Sequence, residues 1–334
     1  MIRSFGFGAL LLLLFACNQE PYDVQLDEIS YHLPSTNLDS IVRHSQKKQL
    51  NRYLTQLKTA DRSVAEFCFP YALQIPLQPD STFQKALHNN LQNPFNRSVF
   101  NALDLKNKWR KEVQTAVESA FKRLTALAPK LKKPSQLYFA YTQFAASAYC
   151  SDKGIVLGQE RYLGPTHPII SHLPEQQFYQ WIKEGLAPQF AASDAVLVWL
   201  STHYIKETDE NFASEMIRWG KLLVILDILL PEESLASKLR YTQADLEWAL
   251  ASESKFWEYL VEQQMLFKTD QELNMNLLNE GPYSIGLPQQ SPDRMGRFLG
   301  YRIVRQYVDA QQPSLSELIH IPYNQILQKY EVPK

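Results

Sequence analysis

From residue 37 to residue 133 the apolar positions recur at intervals of three and four, the signature of amphipathic helices. The pattern predicts a helix around Asp39 to Leu57 and one or two long helices between Ser98 and Leu131. In the latter, Val113, Val117, Phe121, Leu124 and Leu127 trace one stripe, with Lys108, Lys111, Glu118 and Lys122 on other faces, and Pro129 and Pro134 mark the end. No glycine occurs between Gly8 and Gly154, so this half lacks the punctuation that turn-rich β structure needs. The pattern changes at QLYFAYTQFAAS (136–147) and again at glycine-bounded GIVLGQERYLG (154–164), two strand candidates expected to pair in a small sheet. Beyond residue 174 the helical period returns, over 175–185, 193–207, 210–230, 242–267 and 291–311. The expected fold class is therefore mainly α with a small β-sheet, an α+β arrangement.

The stretch SPDRMGRFLGYRIVRQY (291–307) carries its own start signal. Ser291 is a good N-cap residue, Pro292 suits the first helical position, and Asp293 complements the helix dipole. Gly296 and Gly300 then fall one turn apart on one face. Each glycine costs about 1 kcal/mol relative to alanine inside a helix, so a close approach by another backbone or by a ligand is expected there. Arg294 and Tyr301 flank this face and are candidates for lining a cleft.

The N-terminus supplies an address. Arg3 precedes an apolar segment from Phe5 to Ala16, too short to span a bilayer, which closes on Leu14-Phe15-Ala16-Cys17. That ending resembles a bacterial lipobox, in which cleavage before the cysteine leaves Cys17 as the lipid-bearing N-terminus. Residues 1–16 are then a lipoprotein signal peptide, 17–35 a lipidated and flexible polar tether, and 36–334 one helical domain. Asn18 is not the aspartate that favours inner-membrane retention in some bacteria. The expected location is the cell envelope, lipid-anchored at the outer membrane and facing the periplasm. Elsewhere the richest apolar run, LLVILDILLP, is interrupted by Asp227 and ended by Pro231. The net charge of −1 gives no footprint for nucleic acid, and the basic stretch from Lys106 to Lys133 reads as a solvated helix face. Cys68 and Cys150 could pair in an oxidising compartment, or remain as buried free thiols.

Chemical motifs are scarce. There is no GxGxxG or GxxxxGK[ST], and Ser284 in GPYSIG is not a GxSxG nucleophile elbow. His167 and His172 could join His203 as three imidazoles on zinc, and His203 with Glu207 could ligate as an i, i+4 pair. The competing reading of His203, at the end of the apolar run AVLVWLSTHYIKE (195–207), is a partly buried histidine bonded to its neighbours.

Four segments recur together in one family: GIVLGQERYLGPTHPII, MIRWGKLLVILDILLP, YTQADLEWALASESKFWEYLVEQQMLF and SPDRMGRFLGYRIVRQY. In this order and spacing, the chain resembles the gliding-motility lipoproteins of the GldB family of Bacteroidota. The likeness is strongest from about 154 to 308 and weakest before residue 60. That family is in turn similar to zincin-like metallopeptidases, whose chemistry needs an HExxH helix and a later glutamate as third ligand. By this likeness the HExxH helix falls on Trp199-Leu200-Ser201-Thr202-His203. Trp199 then replaces the first histidine, Leu200 the general base and Trp219 the third ligand, and HExxH occurs nowhere in the chain. The resemblance implies a zincin-like helical scaffold without catalytic residues, metal or other cofactor. The candidate binding cleft comprises His203, Trp199, Trp219, Arg294 and Tyr301. The implied partners are the membrane, through lipid on Cys17, and proteins of the gliding and associated secretion apparatus. The alternative is a metal-dependent peptidase or hydrolase with a non-standard site around His203.

Overall fold

The computed structural model describes residues 22–333 apart from 79, 208 and 209; the expected signal peptide (1–16) and Cys17 lie outside the described residues. Four strands, β1 (Ser35–Asn37), β2 (Gln136–Ala140), β3 (Ala148–Cys150) and β4 (Gly154–Gly158), form one sheet in the order β1-β2-β4-β3. β1, β2 and β4 run parallel, with Leu137 opposite Ile155 and Phe139 opposite Leu157; β3 pairs antiparallel with β4. The two expected strands do pair, inside a larger sheet. Both faces of that sheet are covered, which is why β2 and β4 read as continuous apolar runs.

On one face lie α1 (Leu38–His44), α2 (Lys47–Ala60) and α3 (Arg62–Glu66), packed on Tyr138, Ala140 and Val156. A π-helical turn (Phe67–Leu73) follows, then α4 (Ser81–Gln92), α5 (Pro94–Asp104) and α6 (Asn107–Leu127). Asn93 caps α5 and Pro94 opens it, a start signal of the kind that sequence shows directly. The Val113, Val117, Phe121 and Leu124 stripe of α6 is buried as expected, against the opposite face of the sheet.

The remaining helices are α7 (Pro168–Ser171), α8 (Gln180–Glu184), α9 (Ala191–His203), α10 (Phe212–Leu229), α11 (Leu235–Leu239), α12 (Gln243–Glu262), α13 (Gln271–Leu278), α14 (Met295–Gln311), α15 (Leu315–His320) and α16 (Tyr323–Leu327). The large core joins Leu137, Phe139, Ile155 and Leu157 of the sheet to α6, α9, α10 and α14. α10 is buried almost all round and is the axis of this half. Asn211 starts it with a reciprocal capping box to Ser214. α14 crosses α10 at Gly300 and meets α13 at Gly296: a Cβ on Gly300 would lie 2.0 Å from the Met216 carbonyl oxygen. A Cβ on Gly296 would meet the Leu278 side chain at 2.7 Å and the Leu277 carbonyl at 3.0 Å. The close approach expected at these glycines is helix packing. Among the described residues no helix is long and apolar enough to cross a membrane.

Five local expectations are corrected. Strand β2 stops at Ala140 because the chain turns through left-handed Gln143 and Phe144. The buried Glu160 carboxylate holds that turn, accepting from the Thr142 and Phe144 amides and the Thr142 hydroxyl. Helix α14 starts at Met295 and not at Pro292. Ser291 is buried away from the helix end, and the Met295 amide donates instead to the Ser284 hydroxyl. The flexible tether shortens as well. Tyr22 donates to the Pro313 carbonyl, Tyr31 to the Pro134 carbonyl, and Leu33 is fully buried, so apolar contacts lay residues 22–35 onto the domain. Finally, α9 ends at His203, and the expected helix over 175–185 is only the short α8.

Candidate functional site

Helix α9 is apolar on nearly every side, so tertiary contacts decide what each face meets. Asp194, Leu197, Val198 and Ser201 share one face and line a cavity of about 270 Å³. Trp219, Leu222 and Leu223 of α10 form the facing wall. Lys238, Leu239 and Arg240 at the end of α11, Arg294 and Arg297 at the start of α14, and Arg161 after β4 complete the rim with Glu280.

The charges are held unequally. Asp194 accepts from Arg240 at 2.5 Å and from the Tyr162 hydroxyl at 2.8 Å. Burial opposes the Arg240 charge, but Asp194 outweighs it and holds the guanidinium above its ordinary range. Arg294 pairs with Asp293 at 2.8 Å, and Lys238 with Asp227 at 2.6 Å. Arg161 donates to the Ser147 hydroxyl and the Phe144 carbonyl. Arg297 differs from all of these. Its guanidinium lies 3.5 Å from the centre of the Trp219 ring, and its buried Nε has no hydrogen-bond partner among the described residues. Burial, and then the nearby Arg294, lower its pKa to about 9, with Glu280 and Asp293 partly offsetting them, so it stays charged at neutral pH. Arg240 and Arg294 both sit at left-handed φ, 59° and 56°, a conformation that L side chains rarely adopt. Such strain, of order 1–3 kcal/mol per residue, tends to collect at functional positions.

The residues singled out by sequence divide into separate places. Trp219 and Arg294 line the cavity. Tyr301 is buried one turn beyond, donating to Asp227 at 3.3 Å. Trp199 is wholly buried on another face of α9, edge-on to Phe121, with its indole N–H donating to the Lys132 carbonyl. His203 packs on Trp199 and places Nε2 3.2 Å from the Ser151 carbonyl oxygen and 3.5 Å from Cys150 Sγ. Trp199 and His203 therefore belong to the packing between α9 and the sheet. The cleft that five candidates were to share holds only two of them.

The expected ligand pairs are not assembled. Glu207 lies past the end of α9, so His203 and Glu207 share no helix face. His167 Nδ1 accepts from the Ile169 amide and caps α7, while His172 Nδ1 lies 2.7 Å from the Pro168 carbonyl oxygen. Among the described residues no three histidine, cysteine or carboxylate side chains gather where they could hold a metal ion. Cys68 and Cys150 are both free thiols. Burial pushes the Cys150 thiol up to about 12, which suppresses the thiolate that a Cys–His pair would need.

Sequence reasoning missed Arg297, Arg240, Arg161 and Asp194. Arg297 lies in the glycine-bearing segment already singled out, three residues after Arg294. Asp194 was visible as a lone charge opening an apolar helix.

No curated protein and no solved structure matches the chain. Residues 19–332 match the family model described as gliding motility protein GldB, and the chain belongs to that family.

Proposed function

We propose that this protein is a non-catalytic, lipid-anchored component of the cell envelope that supports gliding motility by binding a partner protein in its cavity. The observation that carries the reading is the chemistry of the two helix faces that line the cavity. α9 presents Leu197, Val198 and Ser201 there, and α10 presents Trp219. Leucine, valine and tryptophan neither ligate zinc nor move protons, and a serine hydroxyl is no substitute for imidazole. The cavity-facing Leu197 and Ser201 lie two positions before Trp199 and His203, the residues on which the resemblance lays the HExxH helix. The partner belongs to the gliding machinery and the associated secretion apparatus, and the lipid on Cys17 holds the domain at the outer membrane on its periplasmic side.

The test uses full-length protein in detergent, assayed for bound zinc and for cleavage of a peptide mixture. Sub-stoichiometric zinc and intact peptides are expected. Stoichiometric zinc that disappears in His203→Ala would sink the non-catalytic reading. Crosslinking in native membranes, followed by identification of the joined chains, is expected to return envelope proteins of the motility apparatus.

A further inference from the structure

We propose that the cavity between α9, α10 and α14 binds a carboxylate that carries a small apolar group, with the carboxylate seated on Arg297. The inference rests on reading the cavity as a binding site and names the chemistry it selects.

Buried cations are ordinarily paired, because leaving one unsatisfied carries the full desolvation cost. Arg240, Arg294 and Lys238 obey this rule, each on its own aspartate. Arg297 does not. Its guanidinium lies over the face of Trp219, which steadies the charge, and its buried Nε–H has no acceptor among the described residues. A guanidinium seated over an indole, with its Nε–H still to be satisfied, is suited to a planar acceptor such as a carboxylate. Arg161, which donates to a hydroxyl and a carbonyl, adds a second positive charge on the lining.

Three features narrow the ligand to an organic monoanion. Asp194 and Glu280 stand on the same lining and would repel a doubly charged phosphate. Leu222 and Leu223 supply an apolar wall that a small inorganic ion would leave unfilled. The volume, about 270 Å³, sits at the small end of ligand pockets and admits one side chain rather than a long segment. A second, more polar groove of about 400 Å³ shares Gly185, Arg240, Glu280 and Arg294 with the cavity and continues from it. The same carboxylate chemistry could come from the C-terminus of a polypeptide lying in that groove or from a small free acid.

Titration calorimetry on the full-length protein in detergent separates these cases. The probes are N-acetyl-leucine, N-acetyl-leucine amide, and hexapeptides ending in leucine with a free or amidated C-terminus. The free acids are expected to bind at least about tenfold more tightly than the amides, the size of one lost charge-assisted hydrogen bond. Arg297→Met should erase that preference while leaving the unfolding midpoint unchanged or higher, because it removes a partly buried charge that makes no ion pair among the described residues. Arg297→Lys should keep part of it. A free-acid hexapeptide that outbinds N-acetyl-leucine identifies a chain end as the ligand, and equal affinity identifies a small acid. Equal binding of acids and amides, no binding of any acid at about 10 mM, or an undiminished preference in Arg297→Met would overturn the proposal. So would a lowered unfolding midpoint in Arg297→Met, which would make the arginine a packing residue. Cleavage of the hexapeptides would count against the non-catalytic reading alone and leave the carboxylate preference standing.

Discussion

Gly220 and Gly300 meet backbone to backbone where α10 crosses α14: a Cβ on Gly220 would lie 2.1 Å from the Gly300 carbonyl oxygen. No rotamer change relieves such a clash, because the obstructing atom is main chain. Alanine at Gly300 would gain about 1 kcal/mol of helix propensity and lose more to forced separation of the helices, for a net loss of about 2 kcal/mol or more. Chemical denaturation of Gly300→Ala measures this, and wild-type stability would mean the crossing can open without cost. The same separation would widen the wall that carries Trp219, so ligand binding should weaken with it.

Trp199→Ala removes a fully buried indole packed on Phe121 and should lower stability by about 3–5 kcal/mol. His203→Ala deletes a partly exposed ring and one hydrogen bond to Ser151, at a cost of about 1 kcal/mol. Neither residue faces the cavity, so affinity for the carboxylate probes should survive His203→Ala. A collapse of affinity there, in protein of unchanged midpoint, would return His203 to the site.

Asp39 gives the fold a pH dependence of known sign. Burial raises its carboxyl from 3.8 to about 7, with Glu160 adding to the effect, while the Tyr141 amide, Arg43 and Gln159 partly offset it. The folded chain therefore holds this proton more tightly than the unfolded chain. The stabilisation is fully present below about pH 4 and is lost as pH rises towards 7, then stays flat for this group. Comparing unfolding midpoints of wild type and Asp39→Asn from pH 4 to 8 isolates it. The wild-type advantage should shrink across that interval, and a growing advantage would contradict the assignment.

Cys17→Ser should prevent acylation and move the protein from the membrane fraction to the soluble fraction. Unchanged membrane attachment would rule out the lipobox, since a single uncleaved segment of this length is too short to span a bilayer.

Helix locations were legible because an amphipathic period is local. The α6 stripe and the bodies of α9, α10, α12 and α14 fall where the apolar positions place them. Helix ends were less legible where a distant group took over the cap. Ser291 has the right chemistry to open α14, yet Ser284 receives the Met295 amide, and the backbone folds into left-handed Arg294 first. Residues 22–35 read as a tether because they are polar and short of apolar period. Their anchors are single side chains, Tyr22, Tyr31 and Leu33, each docked on a different distant segment.

Sequence by itself determined the envelope address, the helical fold class, the family and the lack of HExxH. Tertiary structure alone decided which residues face the cavity. Trp199 and Ser201 are only two positions apart but about 200° apart around a helix. Because α9 is apolar on nearly all sides, no hydrophobic period marked the face that would be lined. The positive lining is likewise assembled from Arg161, Arg240, Arg294 and Arg297, drawn from three separate stretches of chain. Whether each arginine finds a carboxylate depends on where those stretches pack. The unpartnered Nε of Arg297 is therefore a property of the folded molecule, which sequence spacing does not encode.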